Sequence, residues 1–346
     1  MPTQYVLIIS YDSLYKRASI NPGRHDDMNK HSRINPPAQR TVADAAPHNW
    51  VDEKAPESWR PYLRLARADR PIGVWLLLWP CWWSLALAGI ETGSSLPNLW
   101  YMTLFFIGAI AMRGAGCTYN DIADRDYDSR VSRTKWRPIP SGQVSVRQAL
   151  VFMVALSLAG LAVLLQFNRF TILLGMVSLA IVAAYPFMKR FTDWPQAVLG
   201  LAFSWGALMG WAAVLGELSL APLLLYAGAV AWTIGYDTIY AHQDKEDDAL
   251  LGLKSTALMF GESTKPWLVL FYGVALAGIA GAGITAGAGF VFCLGLVAGA
   301  AHLAWQIATL DVKDERNCLI RFRANRDFGA IVFAALFADM ALAAWM

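Results

Sequence analysis

LWYMTLFFIGAIAMRGAGCTYNDIADRDYD, residues 99–128, decides how this chain is read. An apolar stretch long enough to cross a bilayer runs directly into Asn120-Asp121-Ile122-Ala123-Asp124-Arg125-Asp126-Tyr127-Asp128. The layout recurs once. The apolar stretch 220–240 leads into Tyr236-Asp237-Thr238-Ile239-Tyr240-Ala241-His242-Gln243-Asp244-Lys245-Glu246-Asp247-Asp248. Carboxylates at the end of a membrane span are costly unless something binds them, so both clusters mark a functional site.

The spacing defines the kind of site. Asn120, Asp124 and Asp128 are four apart, as are Tyr240, Asp244 and Asp248. Four-apart residues share one face of a helix. Like charges at that spacing repel, so such a face calls for a cation. Mg²⁺ suits this donor set, since it takes one or two carboxylates and completes its shell with water and substrate phosphate. Two opposed faces would hold a Mg²⁺-diphosphate between them. Asp124, Asp128, Asp244 and Asp248 are the expected ligands, with Asn120 and Asp121 as partners. Asp126 and Asp247 fall on other faces and are expected to be solvated.

Outward from these clusters the chain is apolar throughout. Of 346 residues 56% are hydrophobic and 16% charged, and the mean hydropathy is +0.37. A soluble domain of this size would carry more charge. Nine apolar spans are expected near 72–91, 99–117, 148–166, 170–188, 195–215, 220–240, 267–286, 288–309 and 327–346. The fold class is therefore an all-α polytopic membrane protein, with nine transmembrane helices in a bundle whose central cavity opens toward one face. Net charge is only +3, and no nucleic-acid partner is expected.

Basic residues alternate between connections. Arg60, Arg64, Arg67 and Arg70 precede the first span; Arg125, Arg130, Arg133, Lys135, Arg137 and Arg147 lie between the second and third. Lys189 and Arg190 follow the fourth, Lys245, Lys254 and Lys265 the sixth, and Lys313, Arg316, Arg321, Arg323 and Arg326 the eighth. The remaining connections carry only Arg169. The positive-inside rule puts the N-terminus, both acidic clusters and Arg190 on the cytoplasmic side and the C-terminus outside. Residues 1–57 are polar and are expected to form a disordered cytoplasmic tail; residues 58–346 form the membrane domain. A basic, aromatic stretch, 59–70, fits a short helix on the membrane surface. Cys81, Cys117, Cys293 and Cys318 show no paired spacing and are expected to be free thiols.

Each acidic cluster is followed by a basic segment, Arg133 to Gly142 and Gly252 to Gly261, which makes a parallel repeat of layout. The chemistry that fits is ionisation of a diphosphate. Carboxylates hold Mg²⁺, and fixed cations stabilise the charge that grows on the leaving oxygens. Arg137, Lys135 and Lys254 are placed to touch phosphate, or else obey the positive-inside rule in a loop. Arg190 ends Tyr185-Pro186-Phe187-Met188-Lys189-Arg190 and is either an interfacial anchor or a fork for a substrate carboxylate. His242 and His302 are expected to be satisfied polar neighbours rather than ligands.

From about Pro61 onward these residues resemble the UbiA superfamily of intramembrane prenyltransferases, and within it the 4-hydroxybenzoate polyprenyltransferases of ubiquinone synthesis. The resemblance rests on Leu65-Ala66-Arg67-Ala68-Asp69-Arg70-Pro71-Ile72-Gly73, the Asn120–Asp128 motif, Arg137-Pro138-Ile139-Pro140-Ser141-Gly142, the Tyr185–Arg190 segment, Tyr236-Asp237-Thr238-Ile239-Tyr240-Ala241, Asp244–Asp248 and Lys254-Ser255-Thr256-Ala257. It implies nine helices around a cavity with a lateral opening to lipid, and Mg²⁺-dependent transfer of a polyprenyl group from polyprenyl diphosphate to the carbon ortho to the phenol of 4-hydroxybenzoate. It implies that Asn120, Asp121, Asp124, Asp128, Asp244 and Asp248 serve metal-diphosphate and substrate, that Arg190 meets the aromatic acid, and that Arg70 belongs to the substrate site. A bacterial inner membrane is the expected compartment, with the mitochondrial inner membrane as the alternative. Transfer to homogentisate, a dihydroxynaphthoate or haem is the runner-up reading, and a cation-coupled transporter is a distant third.

Overall fold

The computed structural model describes residues 48–131 and 134–343. Most of the expected tail, 1–47, lies outside them. Residues 48–57 are within, and they carry structure. Helix α1 (Trp50–Lys54) is capped by Asn49, whose side chain accepts from the Asp52 amide. Trp50 donates to the Ala68 carbonyl at 2.8 Å, and Val51 is fully buried. Helix α2 (Arg60–Leu65) lies within the basic, aromatic stretch 59–70 and is tied to α1 by the Arg64–Asp52 ion pair at 2.6 Å.

The remaining described residues form helices α3 (Ile72–Glu91), α4 (Leu99–Ala123), α5 (Arg125–Asp128), α6 (Val146–Leu164), α7 (Arg169–Ala184), α8 (Pro195–Phe203), α9 (Gly206–Leu215), α10 (Leu220–Ala241), α11 (Lys245–Leu250), α12 (Thr256–Phe260), α13 (Thr264–Thr285), α14 (Phe290–Thr309) and α15 (Glu315–Ala343), with no strand among them. The helix starts are written in the sequence. Asn98, Ser145 and Asn168 accept hydrogen bonds from backbone amides three residues on, and Ser145 with Gln148 completes a capping box. Pro195 opens α8, where its missing N–H costs nothing, and Gly216 at φ +73° ends α9.

Seven helical segments are long and apolar enough to cross a bilayer: Ile72–Glu91, Leu99–Ala123, Val146–Leu164, Arg169–Arg190, Pro195–Leu215, Thr256–Thr285 and Phe290–Thr309. Helices α10 and α15 have 22 and 29 residues, but α10 carries Asp237 and α15 carries Arg326, Asp327 and Asp339. The expected fifth span, 195–215, is broken at Ser204-Trp205 into α8 and α9. The fourth ends in a tight 3₁₀ turn, Tyr185–Arg190, because Pro186 cannot continue the α-helical hydrogen-bond ladder.

The core lies among α3, α10, α13, α14 and α15. Trp83 and Trp232 are fully buried, with ring centres 5.1 Å apart. Trp83 donates to the Gly329 carbonyl and Trp232 to Asn325. Helices α6 and α7 are peripheral: Val151, Leu158, Leu173 and Val177 are more than half exposed, as lipid-facing side chains would be. A cavity of ≈ 520 Å³ lies on the α6–α7 side. It is lined by residues from Arg67 through Leu253 and takes no residue from α13, α14 or α15, so it is off-centre rather than ringed by all the long helices.

Candidate active site

Each acidic motif bends at its middle aspartate. Helix α4 stops at Ala123 and Asp124 is both its C-cap and the start of α5; Asp244 stands in the same way between α10 and α11. The two caps share one backbone conformation, φ −100° and ψ 5° at Asp124, φ −110° and ψ 5° at Asp244. The four-apart residues therefore do not share one unbroken helix. They stay aligned because the Asp128 amide bonds the Asp124 carbonyl and the Asp248 amide bonds the Asp244 carbonyl, both at 2.8 Å.

Asn120, Asp124, Asp128, Asp244 and Asp248 all line the cavity, so the structure brings the two motifs to one place. Asp247, expected to be solvated, lines it too, whereas Asp126 is exposed. Cations pair with these carboxylates. Arg137 meets Asp128 at 2.8 Å, Arg190 meets Asp124 at 3.1 Å and Lys189 meets Asp248 at 3.5 Å. Asn120 donates to Asp124 at 3.2 Å. Burial pushes the carboxyls of Asp124, Asp128 and Asp248 above their ordinary range, and these cations pull the other way.

Four expected residues are elsewhere. Asp121 is fully buried and does not line the cavity; its two oxygens take both terminal nitrogens of Arg67, at 2.6 and 2.9 Å, and one of them also meets Arg137 at 3.3 Å. Its oxygens are engaged by these two arginines. Lys135 lies over the Trp136 ring, and neither it nor Arg70, which is buried beside Asp69, lines the cavity. Lys254 pairs with Asp193 at 3.4 Å, and its amide bonds the Lys189 carbonyl, so it steadies the turn that carries Lys189 and Arg190. His242 meets Thr264, His302 meets the Ala324 carbonyl, and all four cysteines are free.

Three cavity cations were not anticipated: Arg67, already paired with Asp121, Lys189 and Arg113. Lys189 stood next to Arg190 in the sequence, and the 3₁₀ turn aims both inward. Arg113 sits inside the second span, seven residues before Asn120, and lies 5.1 Å from the Phe203 ring centre. Two helical turns from a known site residue, an arginine in an apolar span was the available signal. Arg113, Arg137 and Arg190 each keep a buried Nε with no acceptor among the described residues. Such orphaned donors are expensive and suit an anionic guest.

Among the described residues no three His, Cys, Asp or Glu side chains cluster tightly enough to cage a metal alone. Two separated sets of hard oxygen donors with cations between them fit a metal that arrives with phosphate oxygens of its own.

The UbiA prenyltransferase family model matches residues 77–337. The chain is 50% identical over 289 residues to the mitochondrial 4-hydroxybenzoate polyprenyltransferase of Arabidopsis thaliana, covering 83% of this chain and 70% of that one. It is 49% identical over 287 residues to the human protein of the same name, covering 83% and 77%. Among solved structures, a UbiA homologue from Aeropyrum pernix K1 superposes with a TM-score of 0.65 at 25% identity, over 76% of this chain and 98% of that one. One from Archaeoglobus fulgidus, bound to GPP and Mg²⁺, gives 0.58 at 21% identity, over 81% and 99%. The twin acidic bends, the cations between them and these matches agree: the chain belongs to the UbiA prenyltransferase family.

Proposed function

We propose that this protein transfers a polyprenyl group from polyprenyl diphosphate to the ring carbon ortho to the hydroxyl of 4-hydroxybenzoate, a step of ubiquinone synthesis, with Mg²⁺ as its metal. The observation that carries the reading is the convergence of both acidic motifs with Arg137, Lys189 and Arg190 at one end of a cavity whose other end is apolar. The names of the relatives supply the acceptor. Asp124, Asp128, Asp244 and Asp248, with Asn120, would hold the metal; bound there, Mg²⁺ would neutralise charge developing on the diphosphate.

The protein's own groups do the rest. Arg137 and Lys189 stand beside the carboxylates and stabilise the leaving diphosphate as the allylic carbon–oxygen bond breaks, its electron pair going to oxygen. Arg190 holds the acceptor's carboxylate, and Arg113 offers a second guanidinium. The ring carbon ortho to the phenol forms the new carbon–carbon bond, and a cavity carboxylate takes the displaced ring proton. Apolar walls from α6 and α7 exclude the water that would quench the allylic cation.

We also assign residues 58–346 to the prenyltransferase domain. Of the two expected compartments, the relatives' names favour the mitochondrial membrane and lend no support to the bacterial one.

The test uses membranes containing the protein, radiolabelled 4-hydroxybenzoate and a polyprenyl diphosphate, with Mg²⁺ or EDTA. Label is expected in the extracted lipid with Mg²⁺ and not with EDTA. No label from folded protein across a range of donor lengths would discard this acceptor.

A further inference from the structure

Helix α4 lines the cavity along its whole inner length. From the acidic end its lining residues run Asn120, Gly116, Arg113 with Met112, Gly108 with Ala109, and Phe105 with Leu104. At 1.5 Å per residue this stripe extends about 24 Å. Glycine is among the poorest helix formers, so each glycine in this stripe needs a reason.

Packing supplies the reason at most helical glycines. A Cβ at Gly210 would lie 2.5 Å from the Cys81 carbonyl oxygen, one at Gly175 2.7 Å from Leu164, and one at Gly160 2.4 Å from Met112. Among the described α-helical glycines, only at Gly116 and Gly273 would a Cβ meet nothing within 4 Å. Gly273 is on the exposed face of α13. Gly116 faces the cavity, one turn from Asn120 and on the path from the carboxylates to the apolar end. Apart from its two chain neighbours, no side chain and no other helix comes within 4 Å of a Cβ placed there.

We infer that Gly116 is a specificity-determining residue: its missing side chain leaves the clearance through which the first isoprene unit of the donor passes from the diphosphate site into the apolar channel. The inference rests on the donor assigned under the proposed function. It makes Gly116 blind to the diphosphate itself and to the acceptor, and sensitive to whatever is attached to the diphosphate.

The experiment compares wild type, Gly116→Ala, Gly116→Val, Gly116→Leu and Gly273→Val in purified, detergent-solubilised form. Three binding constants are measured in Mg²⁺: for inorganic diphosphate, for geranyl diphosphate and for 4-hydroxybenzoate. Thermal unfolding checks the fold, and Gly116→Ala is expected to melt at or above wild type because it improves helix propensity in open space. Geranyl diphosphate binding should weaken at least tenfold in Gly116→Val and further in Gly116→Leu, with inorganic diphosphate and 4-hydroxybenzoate unchanged. Gly273→Val should bind all three as wild type does. Equal loss of inorganic and geranyl diphosphate would place Gly116 in the headgroup site and overturn the inference, as would selective loss of 4-hydroxybenzoate or wild-type donor binding in Gly116→Leu. Failure of wild type to bind geranyl diphosphate would instead sink the proposed donor.

Discussion

Asp121 and Asp124 sit three residues apart in one motif and face opposite demands. Asp121 is sealed inside, its carboxylate forked against Arg67, while Asp124 borders the cavity and shares its oxygens with Asn120 and Arg190. Removing one partner of a buried ion pair leaves the other charged and unsolvated, at a cost of about 3–5 kcal/mol. Asp121→Asn should therefore lower the yield of folded, monodisperse protein and its melting temperature. Asp124→Asn should give wild-type yield and melting behaviour with turnover lost in the labelled-lipid assay. If the two variants behaved alike in both readouts, the division between brace and site residue would be wrong. The residue types and the four-apart spacing were legible in the sequence, and five of the six expected metal-site residues do line the cavity. Asp121 lies off the 120–124–128 stripe and does not line the cavity. Its partner Arg67 is 54 residues away, a pairing that no local pattern encodes. Lys254 and Lys135 do not line the cavity either, since basic loop residues look alike until the turn that orients each is known.

Among the elements, periodicity told where helices run and how they begin, but not where they bend. Apolar length alone made 195–215 one span, yet the chain breaks at Ser204, where its hydroxyl pairs with Thr233 of α10. The bends at Asp124 and Asp244 were invisible for the same reason: a capping aspartate and a mid-helix aspartate look identical in a string. Glycine placement carries information at this scale that hydropathy hides. Helices α10 and α13 meet at Gly228 and Gly278, where a Cβ on Gly278 would lie 2.7 Å from the Gly228 Cα. Small residues that let two backbones touch are a usual way to bind helices in lipid, where hydrophobic burial contributes little. Gly278→Val must part these helices, because the obstructing atoms are backbone and cannot rotate away. The expected result is loss of folded protein from detergent extracts by size-exclusion chromatography, in contrast to the tolerated Gly116→Val. A Gly278→Val protein that elutes and melts like wild type would refute the tight crossing.

For the whole molecule, the sidedness of the site depends on how many times the chain crosses the bilayer. Seven segments qualify by length and hydropathy, and α10 and α15 fall short because they carry charge. Asp237 on α10 and Asp327 and Asp339 on α15 lower the apolar score, yet α10 holds some of the most deeply buried positions, Leu225, Ala229, Trp232 and Ile239. Polar residues are tolerated in a span when the protein rather than lipid surrounds them. The cavity supplies a stronger constraint. Asp128 and Asp248 line the same cavity, so the chain between them must cross an even number of times. The α6, α7 and α8–α9 segments are long and apolar enough for three crossings, and on this reasoning α10 would make the fourth. Were α15 to cross as well, the count would be the nine expected from the alternation of basic connections. Single cysteines in a background free of native ones, probed with a membrane-impermeant maleimide on sealed vesicles, decide the matter. Glu217→Cys and Glu246→Cys flank α10 and should label from opposite sides. Asp126→Cys should match Glu246→Cys, and Ser94→Cys should match Glu217→Cys. A C-terminal epitope should share the side of Ser94→Cys. Labelling of positions 217 and 246 from one side would mean that α10 does not cross, and the two acidic motifs could then not share a single cavity in the membrane.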